Sequence, residues 1–444
     1  MKFGSHLGKG LWAVAVKALP VVNGVATVFL VIRALPQREY GAFVLVQTVF
    51  AFGVALANAL ALMPLIKYAA EKRDAGPYLA ASLFINAAFF ALVSVVTLAL
   101  GGPFTALVAG EGRDAAAALL PWLPALFATV WYRNFAVALL QASYSLPRIF
   151  AIDAAHLLGI PAGVLAMRAL GRFETAEDLL GIIVGAQVLS TIVAAVLTRR
   201  EMAVRMPLRR DVLGEIWRFG RFTFGGTAFY AVFAQLDVFF VSAGGGLVAA
   251  ATYNAAKVFM KVFDLVAQVV QMFLIPFSSK RSAAGDTGGL RTAAEKTIAF
   301  TTIVLFPVFL AMALFPEELL RILYGEKYLQ GAWIVRVLSL MALVTPWAAV
   351  TSSCLVGVGR VKTGFWMSIV LVLVSTPLYA LLTPMLGGTG TIAGYVASSV
   401  VVAVWGAVAL RDVIPLRPGA VARRWRDVRE FLKGFRRGPG STQA

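Results

Sequence analysis

Twelve apolar runs of about 20 residues or more set the frame for this 444-residue chain. A helix needs about 20 such residues to cross ~30 Å of hydrocarbon. Lipid offers no hydrogen bonds, so a spanning backbone must satisfy itself within helices or closed barrels. The runs lie at 11–35, 41–65, 78–102, 116–142, 150–170, 179–198, 222–243, 248–275, 297–315, 331–356, 365–386 and 391–411, and are numbered spans 1 to 12. The expected fold class is therefore an all-α polytopic membrane protein. The chain is 60% hydrophobic and 14% charged, where soluble proteins run about 45–50% and about 25%. That excludes a soluble enzyme. It also excludes a basic nucleic-acid binder, despite the net charge of +18. Cys354 is the single cysteine, and His6 and His156 are the two histidines. A disulfide framework, a Cys-based metal site and a His-rich metal centre are thereby excluded, and no cofactor is expected. Span 1 is too long for a cleavable signal peptide and lacks a small-residue cleavage site. The connections carry breaker residues, as in Pro36-Gln37-Arg38-Glu39, Gly244-Gly245-Gly246 and Gly387-Gly388-Thr389-Gly390. None is long enough to fold as a soluble domain.

Charge sets the expected orientation. Of the 40 Lys and Arg, 28 lie at the N-terminus, in the even-numbered connections or in the tail. Five lie in the odd-numbered connections and seven within spans. The positive-inside rule then puts both termini in the cytoplasm. Residues 198–221 form the longest internal polar stretch and carry seven arginines. The end of this stretch, Glu215-Ile216-Trp217-Arg218-Phe219-Gly220, reads as an amphipathic piece lying on the inner leaflet. Arg423-Arg424-Trp425-Arg426 with Phe431 and Phe435 suggests a short interfacial helix in the tail.

The two halves of the chain resemble each other. Residues 29–43 end span 1 and open span 2, as 239–253 do for spans 7 and 8. Spans 2 and 8 both end in a proline followed by a Lys-Arg pair: Pro64 with Lys72-Arg73, and Pro276 with Lys280-Arg281. Six spans per half, starting on the same side, make a parallel repeat about an axis along the membrane normal. The expected organisation is a six-helix lobe over 1–205, a second over 206–411 and a basic cytoplasmic tail over 412–444. Such lobes pack around a central cavity.

Several segments resemble a known family. These are Tyr40-Gly41-Ala42-Phe43, Leu236-Asp237-Val238-Phe239-Phe240, Tyr253-Asn254-Ala255-Ala256-Lys257, Leu323-Tyr324-Gly325-Glu326-Lys327-Tyr328, Ala332-Trp333-Ile334-Val335-Arg336-Val337-Leu338 and Gly357-Val358-Gly359-Arg360-Val361-Lys362. In this order they resemble the polysaccharide flippases, which move O-antigen and exopolysaccharide repeat units. That family belongs to the multidrug/oligosaccharidyl-lipid/polysaccharide exporter superfamily. The chain departs from its pattern at Leu35 and Ala251, where glycines are usual. The resemblance implies translocation of a polyprenyl-pyrophosphate-linked oligosaccharide to the outer face of a bacterial inner membrane. It also implies a polysaccharide polymerase and a chain-length regulator as partners, and no nucleic acid.

An ionisable side chain within a span is costly and defaults to a functional candidate. Arg33, Arg168 and Arg336 lie near helix ends and can snorkel to the interface. Lys17, Arg133, Lys257 and Lys261 lie deeper. In span 8, Asn254, Lys257, Lys261, Asp264, Gln268 and Gln271 recur at three- and four-residue spacings. They form one polar stripe at helical period. The stripe faces either a water-filled cavity or another polar helix; the alternative is that its charges are absorbed in interhelical ion pairs. The spacing allows Asp264 to pair with Lys261, which would leave Lys257 without a local partner, and Val258, Phe259, Val262, Phe263, Val266 and Val269 lie on the opposite, apolar face. Span 2 carries a thinner version of the stripe in Gln47 and Asn58. Arg133 either holds a phosphate or pairs with Asp153 or Asp237. Lys17 is either a cavity cation or a snorkelling anchor. Asp237, Asp264, Asp153 and His156 are the candidates for a coupling ion, each with a structural alternative as an ion-pair or hydrogen-bonded core residue. Pro20 would bend span 1. Together Lys257, Lys261, Arg133, Lys17, Asn254 and Gln268 form the expected substrate set.

Three rival readings rank lower. A multidrug extruder of the same superfamily would prefer an acidic aromatic cavity, whereas four deep cations here face three acids. The 67–77 connection lacks the Gly-rich acidic-basic signature of a major facilitator. A membrane polymerase or glycosyltransferase needs a sizeable outer loop, and 103–115 and 316–330 are too short to supply one.

Overall fold

A computed structural model describes residues 28–71, 76–108, 113–143, 145–202 and 207–424, together with Leu19, Asn23 and Gly24. Among the described residues every regular element is a helix. The α-helices are α1 (Gln37–Ala57), α2 (Met63–Glu71), α3 (Gly76–Val108), α4 (Arg113–Leu119), α5 (Trp122–Ala142), α6 (Leu146–Ala169), α7 (Ala176–Met202) and α8 (Arg210–Lys257). They continue with α9 (Met260–Ala283), α10 (Thr287–Leu314), α11 (Pro316–Tyr324), α12 (Ala332–Leu338), α13 (Met341–Gly357), α14 (Val361–Ala409) and α15 (Pro418–Arg423). A π-helical turn, Asn58–Leu62, joins α1 to α2.

Among the described residues nine helices are long and apolar enough to cross a membrane, or ten with the bent pair Glu326–Leu338 and Met341–Gly357. The 48-residue stretch Lys362–Ala409 counts as one of them. At 1.5 Å per residue it would run about 72 Å, far beyond one crossing. It breaks at Gly387 (φ 58°, ψ −141°), the turn expected between spans 11 and 12. Gly246 (φ 71°, ψ −170°) divides α8 in the same way, between spans 7 and 8. A side chain rarely tolerates positive φ, so both breaks fall on glycine. Span 1, with Pro20 and Lys17, lies largely outside the described residues.

The chain forms two compact units, Met1–Thr252 with Leu323–Lys327, and Tyr253–Ile322 with Tyr328–Ala444. In the first, Phe127 of α5 packs between Phe50 of α1 and Phe90 of α3, each ring centroid 5.5 Å away. Glu215 to Gly220 belongs to the opening turns of α8, ahead of the membrane-length stretch Phe224–Lys257, and Val212 and Ile216 bury there against Tyr68 and Tyr78. Tyr78 OH donates to Glu215 Oε2 at 2.7 Å. Trp217 and Arg218 are exposed.

In the second unit, Val270 and Leu274 of α9, Leu290 and Ile298 of α10, and Val350 and Cys354 of α13 share one core. Leu410 and Ile414, past the end of α14, are fully buried in it. This anchors the start of the tail.

Candidate functional site

The polar stripe of span 8 runs through the junction of α8 and α9. Asn254 and Lys257 are half-buried, whereas Lys261, Asp264, Gln268 and Gln271 are exposed. The helical ladder tightens between the two groups. Phe259 N donates to Ala256 O at 3.3 Å, Lys261 N to Val258 O at 3.1 Å, and Val262 N to Phe259 O at 3.2 Å. These are i→i−3 bonds, and such turns within a helix often mark a hinge.

At 3.6 residues per turn the segment has three faces, each roughly a third of the circumference. The polar stripe is one. The packed face holds Met260, Phe263, Val270 and Leu274, all under 9% exposed. The third face is apolar and open: Val262, Leu265, Val269, Met272 and Phe273 are 37–69% exposed. Val262 and Val269, expected on the apolar side of the helix, belong to this face. A helix with an open apolar face beside an open polar face suits a boundary between lipid and water.

Lys261 and Asp264 interact through space but make no contact ion pair, and neither enters one among the described residues. Both are exposed, where such a pair is worth only about 0–1 kcal/mol. Lys N-terminal to its acid is also the weaker order on a helix. Lys261 and Asp264 are therefore presented outward, whereas Lys257 is half-buried.

The first unit treats its charges differently. Arg133 on α5 places Nη2 2.5 Å from Asp153 Oδ1 on α6. Its Nε donates to Ser190 Oγ on α7 at 3.0 Å, and Nη1 to Asn134 Oδ1 at 3.1 Å. Ser190 Oγ donates in turn to Ile152 O at 2.7 Å. On either side, Thr129 Oγ1 donates to Gln187 Oε1 at 2.5 Å, and Tyr132 OH meets Thr198 Oγ1 at 3.0 Å. Arg133 thus sits within a polar seam joining three helices. Of its open alternatives, the structure has the pair with Asp153. His156 lies one turn beyond Asp153, with Nδ1 buried and without a hydrogen-bond partner among the described residues. Asp237 on α8 is fully buried, and its Oδ1 accepts the Val238 N–H at 2.8 Å. The amide oxygens of Gln47 and Asn58 are buried with no partner among the described residues. Arg336 donates to Ala313 O at 3.1 Å and lies 4.5 Å from the centre of the Trp333 ring.

One constellation has no local signal in the sequence. Lys327 Nζ donates to Arg33 O at 2.7 Å and Leu35 O at 2.9 Å. Arg33 Nε returns a bond to Leu323 O at 3.0 Å, and Gln37 Nε2 donates to Lys327 O. The segment Leu323-Tyr324-Gly325-Glu326-Lys327 is thereby clasped to the turn before α1. Among the described residues no cluster of His, Cys, Asp and Glu could hold a metal ion.

Residues 30–332 match the family model described as polysaccharide biosynthesis protein. The chain belongs to that family. The matched segment includes α1 through α11, the stripe, the Arg133 seam and the Lys327 clasp. An uncharacterised membrane protein of Methanocaldococcus jannaschii is 28% identical over 152 residues. That match covers 34% of this chain and 30% of the relative, so it spans less than a third of the relative's length. Among solved structures, a lipid II flippase in an inward closed conformation superposes with a TM-score of 0.77 at 11% identity. It covers 98% of this chain and 94% of its own. A multidrug resistance transporter of the MATE family, inward-facing, gives 0.75 at 15% identity, covering 91% and 95%. A MOP-superfamily transporter from Pyrococcus furiosus gives 0.64 at 15% identity, covering 90% and 93%. At these identities the likeness is one of fold. This family member is a multi-pass membrane protein with the fold of MOP-superfamily transporters.

Proposed function

We propose that the protein is a flippase, not an enzyme. It moves a polyprenyl-pyrophosphate-linked oligosaccharide from the cytoplasmic to the outer leaflet of a bacterial inner membrane, with both termini cytoplasmic. Two lobes, residues 1–205 and 206–411, would alternate access to the substrate. The observation that carries this reading is the polar stripe of α8 and α9, half-buried at Asn254 and Lys257 and exposed from Lys261 on, beside an open apolar face. The pyrophosphate carries roughly two charges, and each sugar hydroxyl buried without a partner costs a few kcal/mol. Lys257 and Lys261 supply charge for the first, and Asn254, Gln268 and Gln271 supply hydrogen bonds for the second. A cation about 4 Å from a phosphate charge contributes roughly 4 kcal/mol at an effective dielectric near 20. The polyprenyl chain stays in lipid, against the apolar face.

Arg133 serves this reading through Asp153, by holding three helices in register. Asp237, buried, and His156, half-buried, are the coupling candidates in the first unit, and Asp264 is the exposed one on the stripe. A polysaccharide polymerase and a chain-length regulator are the partners this function would need. The stripe carries two lysines against one aspartate, a balance that favours an anionic substrate over a cationic drug. Deleting the gene should cause lipid-linked oligosaccharide to accumulate on the cytoplasmic leaflet. Unchanged delivery to the outer face would remove the proposal.

A further inference from the structure

A second lipid-binding feature lies on the outside of the second unit, apart from the stripe. A groove of about 520 Å³ runs between α13 and the latter half of α14, down to the start of the tail. Val344, Trp347, Val404 and Val408 contribute its walls, and Arg411 and Arg417 its mouth. From Val400 to Arg411 the wall extends about 16 Å at 1.5 Å per residue. That is the depth of one leaflet of a ~30 Å hydrocarbon core.

The mouth is built rather than loose. Leu410 and Ile414 are fully buried on either side of Arg411. Arg360 Nη1 donates to Ala409 O at 2.6 Å, closing the end of α14. Arg417 precedes α15, whose far end is clamped: the buried Glu295 carboxylate accepts Arg291 Nε at 2.8 Å and Arg424 Nε at 3.2 Å. Arg411 and Arg417 are exposed and enter no ion pair among the described residues. The nearby acid, Asp412, is taken by Arg360 at 3.8 Å.

We propose that this groove binds an anionic glycerophospholipid of the leaflet on the basic side. One acyl chain fills the apolar channel, and the phosphate bridges Arg411 and Arg417. Charge complementarity argues for the head, and leaflet-deep apolar walls argue for the chain. No Asn, Gln, Tyr, Asp or Glu lines the groove, so it offers little to a sugar. This separates the site from the one proposed for the oligosaccharide. That the leaflet is cytoplasmic rests on the orientation proposed above; the binding itself does not.

Native mass spectrometry of the purified full chain tests the site, with phosphatidylglycerol and phosphatidylcholine added in turn. The wild type should retain phosphatidylglycerol in preference. Each basic residue near an anionic membrane surface contributes about a kcal/mol, so Arg411→Ala with Arg417→Ala should lower retention ~30-fold. Arg411→Lys with Arg417→Lys should keep most of it. Ala407→Trp should fill the channel and lower retention with both arginines present. Arg172→Ala, at an exposed site on another connection, should change nothing. Equal retention of the two lipids by the wild type would overturn the proposal, as would undiminished retention in the double alanine variant. A preference for undecaprenyl phosphate over phosphatidylglycerol would also overturn it, in favour of substrate docking. The readout is binding and not transport, so it fails or succeeds independently of the flippase reading.

Discussion

Arg133 Nη2 stands 2.5 Å from Asp153 Oδ1, with the two side chains only 14% and 19% exposed. Removing one member of such a pair leaves its partner's charge stranded, at a cost of about 3–5 kcal/mol when fully buried. Arg133→Met should therefore lower the thermal stability of the purified protein, by about 2–4 kcal/mol given the residual exposure. Arg133→Met with Asp153→Leu should recover much of the loss. A stable single variant that has lost transport would instead place Arg133 on the substrate.

Gly41 lets the start of α1 meet the kink in α8. A Cβ built on it would lie 2.0 Å from Leu247 O, a backbone atom that cannot swing aside. Gly41→Ala should destabilise by about 1–3 kcal/mol through this overlap. Gly185, mid-helix in α7, has nothing within 4 Å of such a Cβ. Gly185→Ala should stabilise by up to about 1 kcal/mol, because alanine is the better helix former. Thermal unfolding of the two variants, measured side by side, checks both signs.

The clasp of Lys327 on Arg33 O and Leu35 O should be weaker, since the lysine is largely exposed. Lys327→Met should cost about 1 kcal/mol. Its clearer effect should be faster proteolysis or hydrogen exchange in the turn before α1. Unchanged exchange there would show that the turn holds without the clasp.

Asp286 caps α10. Its carboxylate accepts the Gly289 N–H at 2.7 Å and pairs with Arg281. The backbone bond first, and the guanidinium second, hold its pKa below the ordinary carboxylate value. A group depressed on folding adds stability above its unfolded pKa, near 3.9, and loses it as pH falls through the lower folded value. Asp286→Ala should lower the melting temperature at pH 7 and flatten its fall below about pH 4. An acid limb that is the same in both proteins would contradict the cap's role.

The legible part of this protein was what each helix carries on its own. Apolar runs marked an all-helical membrane protein because lipid demands them, with nine or ten membrane-length helices among the described residues, and Gly246 and Gly387 marked turns that the structure makes there. The stripe from Asn254 to Gln271 was readable because helical period is local. What one helix does to another was not. Arg133 had Asp153 and Asp237 as equal partners, and only the packing of α5 on α6 decides between them. Lys327 reaches Leu35 across 292 positions, and no pattern near either residue announces it. The i→i−3 turn at Val258 and Phe259 was hidden as well, because those residue types continue a helix equally well.

The central claim is that Lys257 and Lys261 of the stripe hold the pyrophosphate. The most direct measurement is the leaflet distribution of lipid-linked oligosaccharide in cells carrying Lys257→Ala at wild-type protein level. The substrate should accumulate on the cytoplasmic leaflet, with delivery to the outer face abolished, while the protein still inserts. Wild-type delivery from the variant would contradict the account.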